Sequence, residues 1–390
     1  MLPCQRHLFD IPRDVAYLNA AAWSPLPLAV QAAGRLGVER KTHPWNVDPA
    51  LSGHVIERAR AAAAALIGAA ANDVAVIPSV SYGVAMAGKI FAPPAGSRVL
   101  VFEDDHSSPV LEWLARAPAQ GFTVQTVRRP ADGDWTAAME EAVAAPAAPL
   151  AIVSISNVHW ADGGVLDMDR LAPAVKAKGA ALLIDATHGA GMMDLDVGRL
   201  DPDFLIFPTY KWVLGPYGRA FIYIAKRHQD GVPLEQTAFG RKGVQTERVP
   251  YMADLSYAAT ARRFDMGERD HFVGLEMAAT GLELMASWGH AAIRDRCAML
   301  TTRLEEGLAG AGAVLPERRL RAPHILSVSF PKGMPAGFIE ALSAEKAFAA
   351  PRVGRLRISP HVYNDEEDVD RFVAAFTQCL RGAGIGRLAR

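Results

Sequence analysis

The chain has 390 residues, half of them hydrophobic, and its formal net charge at pH 7 is −1. A chain of this length and composition can bury a large core, and we expect it to form two domains. It has no basic block of the kind that binds nucleic acid and no acidic tail.

The three cysteines lie far apart, at Cys4, Cys297 and Cys379, with no CxxC spacing. This pattern argues against a disulfide framework or a zinc site and indicates a reducing compartment. Polar residues and a proline interrupt the N-terminal segment where a signal peptide needs an apolar core, and no apolar run reaches the length of about 18 residues that spans a membrane. We therefore expect a soluble cytoplasmic protein without a membrane segment.

The elements of the first half alternate in type. Residues 1–30 are expected to form an irregular arm, because Ser24-Pro25-Leu26-Pro27 breaks regular structure. An alanine-rich helix is predicted at 56–67. Apolar runs and helical segments then alternate, which predicts parallel strands joined by right-handed crossovers, with helices on both faces of a sheet. The predicted strands are 74–77, 99–102, 122–127, 150–155 and 181–184, and the helices between them include 107–116, 135–143 and 169–178.

Two further apolar runs, 204–207 and 220–225, flank a short segment that contains Lys211. The segment is too short for a helical crossover, so the two strands should be antiparallel neighbours. The predicted fold is therefore α/β, with a seven-stranded, mostly parallel sheet that has one antiparallel strand.

After Tyr257 the pattern changes to that of a smaller α+β domain. We expect an N-terminal arm at 1–30 that packs with this small domain, a large domain at 31–256 and the small C-terminal domain at 257–390. The small domain's predicted helices are 271–288, 291–308, one near 337–347 and a last one capped at 364–367, and its strands are 325–330 and 356–359.

Lys211 follows an apolar strand and lies between Tyr210 and Trp212. Apolar surroundings lower the pKa of an amine from about 10.4 and favour the neutral nucleophile that condenses with an aldehyde. On this segment alone, a lysine that reaches solvent from a strand end is the favoured interpretation, and the nucleophilic amine is the alternative. The residues that follow the other strands distinguish between these two interpretations of Lys211.

Polar residues follow several predicted strands, at the edge where ligands bind in open α/β sheets. Ser79-Val80-Ser81 opens a helix, and its free N–H groups and hydroxyls suit either an anion site or an ordinary helix cap. His106 has the chemistry to stack on a flat ring or to cap the next helix. Asp185 suits a protonated ring nitrogen and His188 a phenolic oxygen, with a helix cap and a core histidine as the alternatives.

A metal site formed by His106, His159, Asp185 and His188 is a further interpretation, which the lack of local ligand spacing disfavours. Taken together, the strand ends predict one ligand with a phosphate, an aromatic ring with a basic nitrogen, a phenolic oxygen and an aldehyde. That ligand is pyridoxal phosphate, whose ring acts as an electron sink.

Three motifs carry a resemblance to a known family: Asp185-Ala186-Thr187-His188, Tyr210-Lys211-Trp212 and Gly215-Pro216-Tyr217-Gly218. With them the chain resembles the class V aminotransferase group of fold type I pyridoxal-phosphate enzymes, from Tyr17-Leu18-Asn19-Ala20-Ala21 to the segment around Arg357. This group also holds cysteine desulfurases, kynureninase and isopenicillin N epimerase. The resemblance therefore implies the cofactor and not one reaction.

By that resemblance, Lys211 is the catalytic residue that forms the Schiff base and moves the proton, and Asp185 pairs with the pyridinium nitrogen. Arg357 is implied to bind the substrate α-carboxylate, where a guanidinium can hold both oxygens, and its alternative is a surface arginine on an edge strand. Ala20 and Trp23 are assigned with it to substrate binding. The other implied cofactor-binding residues are Ser79, Val80, Ser81, His106, Asn157, His188, Thr209 and Tyr210.

Enzymes of this group resemble one another as homodimers with sites at the interface, so a homodimer acting on an amino acid as its small-molecule substrate is implied. Residues 263–268 match the segment that reaches the partner's cofactor, although Glu268 replaces a threonine there. Residues 344–355 contain no cysteine that could carry a persulfide, which argues against a cysteine desulfurase. We expect transamination or Cβ–X lyase chemistry, with epimerisation as the alternative and a cofactor-binding protein without turnover as a remote one.

Overall fold

The computed structural model describes residues 2–48, 50–244 and 254–382. The last eight residues of the predicted small domain therefore lie outside the described residues. No helix within these ranges is both long and apolar enough to cross a membrane.

A seven-stranded sheet forms the centre of the molecule, and a two-residue strand of the N-terminal arm, β1 Ala16–Tyr17, precedes it in the chain. The strands of the sheet are β2 Val74–Ile77, β3 Arg98–Phe102, β4 Thr123–Val127, β5 Leu150–Ser156, β6 Ala181–Asp185, β7 Phe204–Pro208 and β8 Ala220–Ile224. Their order across the sheet is β2-β8-β7-β6-β5-β3-β4. β8 pairs antiparallel with both β2 and β7, whereas the other neighbours are parallel, as predicted. Five of the strands are buried along their whole length, which is why they are continuous apolar runs in the sequence.

Helices cover both faces of this sheet, and the first two pack on a long helix of the C-terminal region. The helices up to β8 are α1 Leu28–Thr42, α2 Ala50–Leu66, α3 Val80–Ile90, α4 Ser107–Gln120, α5 Trp135–Ala144, α6 Met168–Ala177 and α7 Val197–Leu200. The C-terminal helices are α8 Phe272–Trp288, α9 His290–Leu308, α10 Phe338–Ala344 and α11 Glu366–Gly382.

The sequence did not predict α1, which contains Gly34 and Gly37. Both glycines face α8, and a Cβ at Gly37 would lie 2.7 Å from the Val273 Cα. Glycine lowers helix propensity, so the sequence pattern disfavours a helix here. The close packing of α1 on α8 nevertheless requires glycine at these two positions. The predicted helix at 56–67 also begins earlier than expected, at Ala50.

The C-terminal region adds four short strands, β9 Leu326–Val328, β10 Ala347–Phe348, β11 Ala350–Arg352 and β12 Arg355–Ile358. β11, β12 and β9 form an antiparallel sheet in that order. The predicted strand at 325–330 is shorter than expected, and the helix predicted near 337–347 ends before β10.

The N-terminal arm joins this region directly. β1 pairs parallel with β10, and the Ala20 amide donates to the carbonyl of Ser359, which follows β12. The arm therefore packs with the C-terminal part of the chain, on one side of the edge at which the candidate site residues gather.

Candidate active site

Lys211 lies just beyond β7 and is 6% exposed. Its Nζ is 3.3 Å from the His188 Nε2 and 5.4 Å from the centre of the Tyr210 ring. The alternative of a solvent-reaching lysine at a strand end does not match this burial.

Burial and the charge of Arg357 lower the pKa of Lys211 to about 7, against an opposing effect of Asp185. An amine with this pKa is neutral in about half of the molecules at neutral pH, whereas an ordinary lysine is almost fully protonated. The neutral form of this amine, which is the form that can condense with a carbonyl group, is therefore well populated at neutral pH.

The contacts of His188 define where its proton lies. The Trp212 Nε1–H donates to the His188 Nδ1 over 3.1 Å, so that nitrogen carries no hydrogen. Burial, followed by the charge of Lys211, lowers the pKa of His188 well below its usual value, and the ring is neutral. Its single proton is then on Nε2, from which it can donate to the lone pair of the Lys211 amine.

Asp185 ends β6 and is almost fully buried. Its Oδ1 accepts from the Thr187 amide over 2.9 Å. The neighbouring strand β5 places Ser156 opposite Asp185 in the register. A buried carboxylate at this strand end is placed to hold a cationic ring nitrogen.

Sequence reasoning missed a second carboxyl group, Asp105, beside this strand end. It accepts from the Ser156 hydroxyl over 2.8 Å and from the Ser156 amide over 3.2 Å. Burial raises the pKa of Asp105 to about 7, and the charge of Asp185 adds to the effect. A carboxylate directly before His106, at the end of a buried strand, is the signal that could have found it.

Asn157 follows β5 and is 2% exposed. Its side chain lies against Gly189, where a Cβ would be 2.3 Å from the Asn157 Nδ2. The Asn157 Oδ1 is buried without a hydrogen-bond partner among the described residues. A buried acceptor of this kind fits a ligand that brings a donor.

The two histidines at the ends of β3 and β5 differ in role. His106 precedes α4, and its ring meets Trp160 edge-on at 5.7 Å. Burial, and then Lys211, lowers the pKa of His106. His159 instead stacks on Trp135 at 4.8 Å inside the core, where burial lowers its pKa to about 3. Within the described ranges, no group of three histidine, cysteine or acidic residues gathers as metal ligands.

Ser79 caps α3, its Oγ accepting from the Tyr82 amide over 3.2 Å. The Ser79 and Ser81 hydroxyls are 3.1 Å apart, beside the amide of Val80. The segment can therefore be a helix cap and an anion site at once, since a cap leaves the other N–H groups of the first turn free.

Thr209 or Tyr210 was expected to help hold the phosphate. The Thr209 hydroxyl is fully buried, and its single proton is shared between the carbonyl oxygens of Pro216 and Arg219, 2.5 and 3.1 Å away. A Cβ at Gly215 would lie 2.7 Å from the Thr209 Cβ, so this turn folds tightly over it. The hydroxyl shapes the turn beyond Lys211 and has no free proton for a ligand.

An aromatic stack extends outward from Lys211. The Tyr210 ring stacks on Tyr217 at 3.8 Å, and Trp23 meets Tyr217 edge-on at 5.7 Å. Trp23 is 65% exposed. Trp23 therefore lies at the outer end of the stack, whereas Ala20 is fully buried and its amide donates to the Ser359 carbonyl.

Arg357 lies on β12 and is 1% exposed. Its Nη1 donates to the Trp160 carbonyl over 2.5 Å, and its Nε is buried without a partner among the described residues. Burial, followed by the charge of Arg352, lowers the pKa of Arg357 to about 9. The alternative of a surface arginine does not match this burial, and an anion is the ligand that such a cation requires.

The segment expected to reach a partner subunit lies along the edge strand of the large sheet. Asp265 pairs with the buried Arg60 over 2.7 Å, and the Met266 amide donates to the Val76 carbonyl. Glu268 is exposed and has a positive φ of 52°. The segment is thus fixed beside β2, which leads directly to Ser79.

Comparison with known proteins gives a family match. The family model described as aminotransferase class-V matches residues 17–372. An uncharacterized aminotransferase, YcbU of Bacillus subtilis, is 29% identical over 80% of this chain and 80% of its own. Isopenicillin N epimerase of Streptomyces clavuligerus is 26% identical over 93% and 94% of the two chains. Kynureninase of Deinococcus radiodurans is 28% identical over 78% and 74%.

A solved structure shares the fold over nearly the whole length. The apo cysteine desulfurase of Thermococcus onnurineus NA1 superposes with a TM-score of 0.82 and 20% identity, covering 98% of this chain and 99% of that one.

Proposed function

The chain belongs to the class V aminotransferase family of pyridoxal-phosphate-dependent enzymes, and on this premise we propose that it uses Lys211 to transform an amino acid by transamination or Cβ–X cleavage. The observation that carries the proposal is the buried Lys211 amine, 3.3 Å from the imidazole of His188. When bound, pyridoxal phosphate supplies an aldehyde for an amine and a ring that draws electrons from the substrate α-carbon.

The residues at the strand ends fit this cofactor. The turn of Ser79, Val80 and Ser81 offers hydroxyl and N–H donors for a phosphate, and the buried Asp185 offers an anion for the ring nitrogen. The Asn157 Oδ1, which has no hydrogen-bond partner among the described residues, and the neutral His188 could be hydrogen-bond partners for polar groups of the ring. His106 supplies a flat surface, and Tyr210 closes the side next to Lys211.

The same lysine can move a proton at the substrate α-carbon. Its amine titrates near neutrality, so it can accept a proton and return it without a large free-energy cost. The proton on the His188 Nε2 holds the amine in position, and Arg357 can bind the α-carboxylate through both nitrogens of its fork.

The positions of the cysteines argue against the desulfurase reaction. Cys297 is fully buried, donates to the Pro360 carbonyl, and has its pKa raised to about 12 by burial. The hairpin that leads to Arg357 has no cysteine. Persulfide transfer needs a thiolate beside the substrate, which this chain does not provide there.

Epimerisation is the second candidate. It is favoured by the epimerase relatives, which match 93% and 96% of this chain, a larger share than the aminotransferase and kynureninase relatives match. Keto acid, ammonia and inverted amino acid are distinct products, so one product analysis separates the reactions.

We propose further that the enzyme is a cytoplasmic homodimer in which residues 263–268 approach the partner's cofactor. Residues 31–256 would form the cofactor domain and 257–390 the domain that holds the substrate carboxylate. The free thiols of Cys4, Cys297 and Cys379 support a reducing compartment. Sedimentation equilibrium tests the dimer, and cell fractionation tests the location.

Absorption spectroscopy with borohydride reduction tests the main proposal. Purified protein incubated with pyridoxal phosphate should show a visible band that borohydride abolishes, and peptide mapping should find the reduced cofactor on Lys211. A protein that stays colourless, or a label on another lysine, would overturn the assignment.

A further inference from the structure

A second guanidinium, that of Arg352, lies on the same face of the C-terminal hairpin as Arg357. In the register of β11 and β12, Arg352 is opposite Arg355, and Ala350 is opposite Arg357. Opposed residues and residues two apart share a face of a sheet, so Arg352, Arg355 and Arg357 project from one side.

Trp160 connects Arg352 to the site. The Arg352 Cζ is 5.7 Å from the centre of the Trp160 ring, and the Trp160 carbonyl accepts from Arg357. The same ring contacts His106 edge-on. Arg352 therefore belongs to the wall that Trp160 forms beside Arg357, and it is half-buried there.

The charge of Arg352 acts on the reacting groups. It contributes to the lowered pKa values of Lys211, His106 and Arg357. In the described part of the chain its guanidinium has one hydrogen-bond partner, the carbonyl of the adjacent Pro351. No carboxylate among these residues forms an ion pair with it, so its charge is not neutralised by the protein there.

The third arginine of this face behaves differently. Arg355 lines a separate cavity together with Arg129 and Asp162. Burial lowers the pKa of Arg129 and of His159, and the charge of Arg355 adds to both shifts. Arg355 does not contribute to the lowered pKa of Lys211, whereas Arg352 does, which makes Arg355 a matched control for Arg352.

We propose that Arg352 binds a second acidic group of the substrate, so that the enzyme acts on an amino acid with a carboxylate in its side chain. The inference rests on the proposed function, in which Arg357 holds the α-carboxylate. The α-carboxylate of the substrate pairs with the guanidinium of Arg357. The guanidinium of Arg352, beside Trp160, then favours a substrate that has a second anionic group. A neutral side chain would leave the charge of Arg352 unpaired beside the site.

The test compares each acid with its own amide on the cofactor-loaded enzyme. Apparent dissociation constants for aspartate, asparagine, glutamate and glutamine are measured from the change that each causes in the visible spectrum. For at least one acid–amide pair, the wild type should bind the acid about tenfold more tightly or better, because a charge-assisted hydrogen bond is lost with the amide.

Arg352→Gln should bring that ratio close to one by weakening the acid and leaving the amide unchanged. Arg352→Lys should keep part of the preference, since it keeps the charge, and Arg355→Gln should keep all of it. Equal binding of acid and amide by the wild type, or an unchanged ratio in Arg352→Gln, would overturn the inference.

The outcomes separate the inference from its premise. If neutral amino acids change the spectrum while acids have no advantage, only the role of Arg352 fails. If no amino acid changes the spectrum, and borohydride leaves Lys211 unlabelled, both the inference and the proposed function fail.

Discussion

At the scale of single residues, the protons of Lys211 and His188 constrain each other. Trp212 donates to one nitrogen of the His188 ring, so the remaining proton faces the amine, which lies 3.3 Å away. A protonated lysine would point hydrogen at hydrogen in this arrangement, and burial adds to the cost of the charge. The geometry and the lowered pKa of Lys211 therefore agree.

The free-energy cost of burying a charged Lys211 makes the stability of the cofactor-free protein depend on pH. The pKa of Lys211 is lowered to about 7 in the folded protein, so between about pH 7 and the usual lysine value near 10.4 the unfolded chain binds more protons. The contribution of Lys211 to stability should therefore rise with pH across that window. Below the window, the folded protein carries the full cost of burying the charged amine. Each unit of pKa shift corresponds to about 1.4 kcal/mol.

Urea unfolding of the wild type and Lys211→Met, measured across this pH range, checks the prediction. Methionine removes the charge at similar length, so the variant should be the more stable protein near neutral pH by several kcal/mol, and the difference should shrink as the pH rises. Stability curves that stay parallel would contradict it.

Substitution of Arg357 should have opposite effects on the stability of the fold and on amino-acid binding. Because its buried charge has a lowered pKa, Arg357→Gln should leave the cofactor-free fold as stable or more stable. The same change should weaken amino-acid binding about tenfold or more by removing a charged partner of the carboxylate. Spectral titration should show no loss for the corresponding amine without a carboxylate, and an equal loss for that amine would refute the role.

The sequence was informative where a polar residue follows a buried strand. The positions of the candidate residues Lys211 and Asp185 at the edge of the sheet could be predicted because a polar residue stands out after an apolar run. Asp105 also follows a buried strand and directly precedes His106, but its hydrogen bond with Ser156, 51 residues away, is not visible in the local sequence. The local pattern around Thr209 does not show that the Gly215 turn folds back and engages its hydroxyl.

At the scale of elements, the central strands were predictable to within one or two residues because burial on both faces leaves an unambiguous apolar run. The first helix was not, because packing of Gly34 and Gly37 against α8 overrides their low helix propensity. Strands of two or three residues, such as β10 and β11, carry too few residues for an alternation to be visible.

Two alanine substitutions separate packing from propensity. Gly37→Ala would place its Cβ 2.7 Å from the Val273 backbone. We expect it to lower the free energy of unfolding, since overpacking costs about 1–3 kcal/mol and exceeds a propensity gain of about 0.5–1 kcal/mol. Gly53→Ala in α2 has no neighbour there and should stabilise by that gain. Chemical unfolding of both variants checks the contrast, and a stabilised Gly37→Ala would show that α1 and α8 can move apart.

At the scale of the whole molecule, the N-terminal arm fastens to the last helix through two arginines. Arg6 pairs with Asp368 over 2.7 Å with both side chains largely buried, whereas Arg13 pairs with Asp365 at an exposed site. The Arg6 guanidinium also donates to the carbonyls of Pro12 and Val15, which hold the arm in shape.

These two ion pairs should differ greatly in energy. Arg6→Ala leaves Asp368 buried without its partner and should lower stability by about 3 kcal/mol. Arg13→Ala should cost at most about 1 kcal/mol, because water replaces an exposed partner. Hydrogen exchange at the amides of Ala16 and Leu18, which donate to residues near β10, should speed up in the first variant alone. Equal effects of the two changes would show that the arm is held by its backbone pairing.

The arm's position has a consequence for how the protein matures on the ribosome. The Ala21 amide binds the Ser359 hydroxyl, 338 residues further along the chain. Bacterial and eukaryotic ribosomes add roughly 5–20 residues per second, so the arm waits roughly 20 to 70 seconds for its partner strand to be made. The large sheet can assemble during that interval, but the wall containing Ala20 and Arg357 closes only after translation is almost complete. In a nascent chain, Arg357, the residue proposed to bind the substrate carboxylate, is therefore among the last candidate site residues to be placed.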